Sequence, residues 1–115
     1  MRTGIMEKER RLNPRIEFHH NVTINRSQKL QEIRNISIGG AFIQTDNVSK
    51  FISGRRIILF TKFPLETNRT VIQARVAHVN EHGIGVQFID LMGRNADVVE
   101  YNFAVFKGTL PLPGT

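Results

Sequence analysis

A two-residue alternation of apolar and polar side chains runs through most of residues 16–90, and it restricts the fold more than any other feature. In IEFHHNVTIN, the even positions hold Ile16, Phe18, His20, Val22 and Ile24, while the odd positions are polar. Successive side chains of a β-strand point to opposite faces. The pattern therefore predicts a strand with one buried face.

Five further stretches of this kind follow, rich in the β-branched and aromatic residues that favour strands. They are KLQEIRNI, AFIQT, IILFTKF, VIQARVAHV and GIGVQFI, and turn signals such as PLETN and NEHG lie between them. A small sheet removes its exposed edges by closing on itself. We therefore predict an all-β fold, a six-stranded antiparallel β-barrel.

The period changes to that of a helix after residue 90. Apolar residues then recur at steps of three and four, at Met92, Ala96, Val99, Phe103, Phe106 and Leu110. One apolar stripe predicts a C-terminal α-helix packed on the barrel, and PLPG is expected to end it. The chain is thus predicted as one domain, with a leading segment at 1–15, a barrel at 16–90 and a helix at 91–110.

Composition excludes several classes of site. The chain has no cysteine, which rules out disulfides, thiolate nucleophiles and Cys-based zinc sites.

No apolar run exceeds four residues, as in IILF, and the amino terminus lacks the apolar core of a signal peptide. We expect a cytoplasmic protein without a membrane span, whose start is either Met1 or Met6.

The charge favours anionic partners. Sixteen Lys and Arg against ten Asp and Glu give a net charge of +6. Half of this excess lies in residues 1–15, which hold five basic and two acidic side chains. The segment is either a solvated basic tail or a group of cations that converges on an anion.

The stretch RRLNPR contains Arg10, Arg11 and Arg15 directly before the first predicted strand. Pro14 fixes its own backbone angle and pushes Asn13 toward an extended conformation. The segment is therefore expected to be a shaped loop rather than a helix, with guanidinium groups free to converge on a ligand.

A second polar stretch, RNISIGGAFI, follows about twenty residues later. Asn35 and Ser37 are two apart, which places them on one face if the segment is extended. Gly39 and Gly40 predict a turn with backbone amides open to close approach. The alternative is an ordinary hairpin turn with two surface polar residues.

Other patterns carry no chemistry. GIGVQF contains Gly-x-Gly but lacks the third glycine and the following helix of a dinucleotide-binding fingerprint. The four histidines show no metal-ligand spacing, and no Ser-His-Asp set stands out. We expect neither catalysis nor a metal.

Taken together and in this order, the two polar stretches resemble the motifs of the PilZ domain. The first motif is Arg-x-x-x-Arg, here Arg11 and Arg15, and the second is Asp/Asn-x-Ser-x-x-Gly, here Asn35, Ser37 and Gly40. The resemblance extends over nearly the whole chain. It implies a six-stranded barrel that binds cyclic di-GMP without turning it over, in which a flexible amino-terminal loop clamps the ligand against the barrel surface.

The resemblance also implies a set of binding residues and no other cofactor. The set is Arg10, Arg11, Arg15, Asn35, Ser37, Gly39 and Gly40. The arginines are expected at phosphate oxygens and guanine edges, and the second motif at guanine edges or ribose-phosphate oxygens, with close backbone approach at its glycines. Family members with an additional arginine before the motif, here Arg10, tend to hold two stacked ligand molecules, and we expect that form.

The expected output is a conformational change read by a partner protein that the sequence does not identify. One alternative is an adaptor of the same fold that acts by protein contacts without ligand. Another is a small basic barrel that binds nucleic acid. Single-strand binding needs exposed aromatic platforms, and the chain has one Tyr and no Trp, so nucleic acid is the less favoured partner.

Overall fold

The computed structural model describes residues 16–89 and 91–108. Its elements, in chain order, are β1 (Ile16–Ile24), β2 (Gln31–Ile36), β3 (Gly40–Gln44), a 3-10 turn (Val48–Lys50), β4 (Arg56–Thr61), β5 (Thr70–Asn80), β6 (Gly83–Phe88) and α1 (Gly93–Lys107). The predicted loop at 1–15, residue 90 and the PLPG stop lie outside the described residues.

The six strands form a closed barrel in the order β1-β2-β3-β6-β5-β4, and every neighbouring pair is antiparallel. The ring closes between β1 and β4, where Thr23 lies opposite Phe60 and Ile24 opposite Leu59. The predicted fold class, a six-stranded antiparallel barrel with a C-terminal helix, is confirmed.

The core residues of β1 include three that the alternation in the sequence predicts to be buried. In β1, Phe18, Val22 and Ile24 are buried, whereas Glu17 and His19 are exposed. Apolar side chains from the other five strands complete the same core. Burial of this apolar surface is the main force that holds the barrel together.

A β-bulge interrupts the alternation in β2. Ile33 lies opposite Ile43 and Asn35 opposite Phe42, so two steps along β2 match one step along β3. The extra residue is Arg34, and it allows Ile33 and Ile36 to be buried together although they are three positions apart. Strict alternation would have placed these two isoleucines on opposite faces.

The helix α1 packs against β1 and β5, but its buried face differs from the predicted stripe. Val99 and Phe103 are buried as predicted, whereas Met92 is 73% and Phe106 43% exposed. The other buried residues are Val98, Asn102 and Val105. Phe106 still contacts the barrel, since its ring packs edge-on against Phe18 with centroids 5.5 Å apart. Leu110 lies outside the described residues.

The carboxyl end of α1 is set by Gly108 rather than by a proline. Gly108 has a φ of 93°, and its amide donates to the carbonyl oxygens of Ala104 and Val105. This left-handed cap is a common helix terminator. No helix within residues 16–89 and 91–108 is long and apolar enough to cross a membrane.

Candidate functional site

The second motif forms the tight turn between β2 and β3. Ile36 ends β2 and lies opposite Ala41 of β3. The amide of Ser37 donates to the carbonyl oxygen of Gly40 at 2.8 Å, which closes the turn. The turn is tied to β6 as well, because the amide of Phe88 donates to the carbonyl oxygen of Gly39 at 2.9 Å.

The Ser37 hydroxyl is used inside this turn. Its oxygen accepts hydrogen bonds from the amides of Gly39 and Gly40, both at 3.1 Å, and it donates to the carbonyl oxygen of Gly40 at 3.3 Å. Ser37 is only 3% exposed. Ser37 is therefore not a surface residue, and the two glycine amides, which the sequence led us to expect open, are occupied by its hydroxyl.

Gly40 is required by the packing of β3 against β6. A Cβ atom at this position would overlap the backbone carbonyl of Val86, well inside van der Waals contact. The residue opposite Gly40 on β6 is Gln87. The absence of a side chain therefore permits close strand pairing here, and this role is independent of any ligand.

Asn35 lies at the bulge of β2 and is half-buried. It is opposite Glu17 on β1 and Phe42 on β3. Its neighbour Arg34 is engaged within the scaffold, since its Nη1 lies 3.6 Å from Glu32 Oε1 and donates to Gln44 Oε1. Arg34 is thus held along the barrel wall.

The register of β1 against β2 places the start of β1 beside the second motif. Ile16, the first residue of β1, lies opposite Ile36, and Glu17 lies opposite Asn35. The chain therefore enters the barrel beside the Asn35–Gly40 turn. Arg10, Arg11 and Arg15 lie outside the described residues, so their positions stay predictions, although Arg15 directly precedes Ile16 in the sequence.

Two further polar residues, one beside the turn and one a strand further away, were not selected by sequence reasoning. Gln87 pairs with Gly40 on one side and with Arg75 of β5 on the other. The sequence places Arg75 on the polar face of a predicted strand. Its closeness to the motif depends on β3, β6 and β5 being neighbours, which no local pattern shows.

The other end of β3 carries an ion pair that belongs to the scaffold. Lys29 Nζ lies 2.8 Å from Asp46 Oδ1 and 2.9 Å from Oδ2. The hydrogen bond from Lys29, and then its charge, hold the pKa of Asp46 below its usual value. Because the folded pKa is lowered, this small contribution to stability is present above the unfolded pKa and is lost as the pH falls.

Comparison with known protein families identifies the domain. The PilZ domain profile matches residues 9–104. The chain belongs to the PilZ domain family. PilZ domains are ligand-binding or adaptor domains rather than enzymes, so this chain is a domain of the cyclic di-GMP-binding or adaptor type.

A solved structure supports the PilZ fold. The chain is similar to the Bacillus subtilis inhibitor of motility (MotI/DgrA), with a TM-score of 0.73 and 18% sequence identity over 88% of this chain. The match covers 53% of that protein, so this PilZ chain spans about half its length. At this identity the likeness shows the fold. A comparison with curated protein sequences found no match.

The Ser37 hydroxyl bonds allow a direct test of the turn. Ser37→Ala would leave the amides of Gly39 and Gly40 without their acceptor, and we expect it to lower the free energy of unfolding by about 1 to 3 kcal/mol. Urea unfolding measures this change.

Ser27→Ala is the matched control, because the Ser27 hydroxyl also accepts a backbone amide, that of Lys29 at 3.1 Å, but in an exposed turn. We expect the control to change stability by less than about 0.5 kcal/mol. Equal losses in the two variants would contradict a structural role for the buried hydroxyl.

Proposed function

We propose that this PilZ domain is a receptor for cyclic di-GMP. The observation that carries the proposal is the register of β1 against β2, which brings the strand that follows Arg11 and Arg15 beside the Asn35–Gly40 turn. Because Arg15 directly precedes Ile16 in the sequence, we assign the first motif to the edge of the barrel that carries the second. The net charge of +6 favours the approach of an anionic ligand.

The chemistry of arginine suits this ligand. Cyclic di-GMP presents two phosphates and two guanines on one ring. A planar guanidinium can bind phosphate oxygens, pair with the O6 and N7 atoms of guanine, or stack on a purine face. We assign Arg11 and Arg15 to these contacts and Arg10 to the support of a second, stacked ligand molecule.

The second motif contributes in two ways. Asn35, half-buried on β2, is the polar side chain that we assign to a guanine edge or a ribose-phosphate oxygen. Ser37, Gly39 and Gly40 hold the turn in shape, as their internal hydrogen bonds and packing indicate. Their contribution to binding is then mainly to give the ligand a preformed surface.

Binding is proposed to act as a switch without catalysis in the bacterial cytoplasm. Ordering an amino-terminal segment costs on the order of 1 kcal/mol per residue, against roughly 1.5 to 3 kcal/mol for each charge-assisted hydrogen bond. The balance is compatible with micromolar affinity. The ordered segment and its ligand would then form a new surface for a partner protein.

Calorimetric titration tests the proposal. We expect binding of cyclic di-GMP at about 1 µM or tighter, near −8 kcal/mol, with GTP and cyclic GMP far weaker because neither places two phosphates and two guanines together. A stoichiometry of two ligands per chain is expected, falling toward one in Arg10→Ala. Chromatography after long incubation should return the ligand intact.

Three results would contradict the proposal. No binding at about 100 µM ligand, roughly −5.5 kcal/mol, would leave the adaptor as the better description. Tighter binding of a random oligonucleotide than of cyclic di-GMP would favour the nucleic-acid-binding alternative. Appearance of the linear dinucleotide would show that the protein hydrolyses cyclic di-GMP and is therefore an enzyme.

A further inference from the structure

A row of residues crosses four strands on the outer face of the barrel and begins at Gly40. Gly40 of β3 lies opposite Gln87 of β6, Gln87 opposite Arg75 of β5, and Arg75 opposite Arg56 of β4. Their neighbours along each strand are buried in the core, so the pleat directs these four positions outward. Those neighbours are Ala41, Val86, Ala74, Val76 and Ile57. Gln87 and Arg56 are exposed on the outer face and Arg75 is half-buried, whereas Gly40 is covered and buried.

The two arginines of this row form a like-charge pair. Like charges directly opposite one another on adjacent strands destabilise a sheet. Within residues 16–89 and 91–108, no carboxylate forms an ion pair with either Arg75 or Arg56. Arg34, on the other side of the turn, differs in this respect, because Glu32 and Gln44 engage it.

An uncompensated pair of this kind is suited to an anion that comes from outside. Adjacent strands are about 4.8 Å apart, so the Cα atom of Arg75 is about 10 Å from that of Gly40, and that of Arg56 is about 15 Å away. Arg75 is half-buried and Arg56 exposed. Arg75 therefore loses less side-chain freedom on binding and is the better placed of the two.

We propose that the cyclic di-GMP surface extends from the Asn35–Gly40 turn along this row, and that Arg75 binds a phosphate or a guanine edge of the ligand. This inference rests on the proposed function and adds a residue outside both motifs. Gln87, between Gly40 and Arg75, lies beneath the ligand. Arg56 adds positive charge at the end of the row without touching the ligand.

Titration of Arg75→Gln with cyclic di-GMP tests the contact. We expect affinity to fall about tenfold or more, since one charge-assisted contact is lost. Arg75→Lys should recover only part of the loss, because lysine keeps the charge but not the planar fork. Arg56→Gln should weaken binding about two- to threefold, as expected for a charge that acts at a distance.

Arg94→Gln is the matched control. It removes the same charge from an exposed position in the first turn of α1. The next residue, Asn95, donates to the carbonyl oxygen of Val71, four residues along β5 from Arg75. We expect this control to bind cyclic di-GMP within about twofold of the wild type.

The stability of the ligand-free protein gives a second readout that a misfolded variant could not reproduce. Relief of the like-charge pair should make Arg75→Gln melt about 1 to 4 °C higher than the wild type at low salt. The difference should shrink in 1 M salt, where the screening length is about 3 Å. If Arg75→Gln binds cyclic di-GMP more weakly and yet is more stable, then Arg75 contributes to ligand binding at a cost in stability.

The outcomes separate the two proposals. If the wild type binds cyclic di-GMP and Arg75→Gln binds it equally well, this inference is overturned and the proposed function stands. If the wild type does not bind, both are overturned. If Arg75→Gln melts no higher than the wild type at low salt, the argument from an uncompensated charge pair is wrong.

Discussion

Replacement of Arg11 or Arg15 by alanine is expected to weaken cyclic di-GMP binding by about tenfold to more than a hundredfold, because each substitution removes at least one charge-assisted hydrogen bond worth roughly 1.5 to 3 kcal/mol. The melting temperature without ligand should hardly change, since both residues precede the first core strand. Titration calorimetry and thermal unfolding of the same samples measure the two effects.

Lysine substitutions separate specific contacts from diffuse charge. Arg11→Lys and Arg15→Lys keep the charge but lose the planar fork and the stacking face, so they should recover only a small part of the affinity. Lys8→Ala is the matched control in the same basic segment, and we expect a change of about twofold or less.

A basic tail predicts the opposite behaviour. In that case lysine would restore full binding at positions 11 and 15, Lys8→Ala would cost as much as either arginine substitution, and affinity would fall steeply with salt. That combination of results would show that Arg11 and Arg15 make no specific contact with the ligand.

The second large effect is expected at Gly40. Gly40→Ala would force a Cβ atom against the backbone carbonyl of Val86, and backbone cannot move aside as a side chain can. We expect the free energy of unfolding to fall by about 1 to 3 kcal/mol, and the residual folded protein to bind cyclic di-GMP more weakly because the β2–β3 turn shifts. Urea unfolding with and without ligand measures both.

Gly85→Ala is the informative comparison. A Cβ atom at Gly85 would also overlap a neighbour, but that neighbour is the ring of His78, whose residue is exposed. The ring can rotate away, so the loss should be smaller than at Gly40. The double variant His78→Ala/Gly85→Ala lacks the neighbouring ring, so most of the remaining loss of stability at Gly85 should disappear. A loss at Gly85 as large as that at Gly40 would contradict this account of the backbone clash.

The strands and the face that each buries could be predicted from the sequence, because side-chain orientation along a strand is a local property. The alternation in β1 selects Phe18, Val22 and Ile24, and all three are buried. The same reasoning was weaker for the helix, where several apolar stripes satisfy a period near 3.6. Contact with the barrel buries Val98 and Asn102 and leaves Met92 exposed, whereas Phe106 is partly exposed although its ring packs edge-on against Phe18.

The residue types of the second motif were equally visible in the sequence, but their roles were not. Asn35, Ser37 and Gly40 were recognised as one pattern. A sequence does not show that the Ser37 hydroxyl bonds the turn from inside, because this depends on how the chain folds back between β2 and β3.

The sequence by itself determined that this chain forms a six-stranded barrel with a closing helix and two polar motifs. Only the tertiary structure decided which distant segments meet. Gly40 and Arg75 are brought onto one row by β6, which pairs with β3 on one side and β5 on the other. Such pairing follows from ring closure and from burial of a shared core, and these are properties of the whole chain rather than of any local stretch.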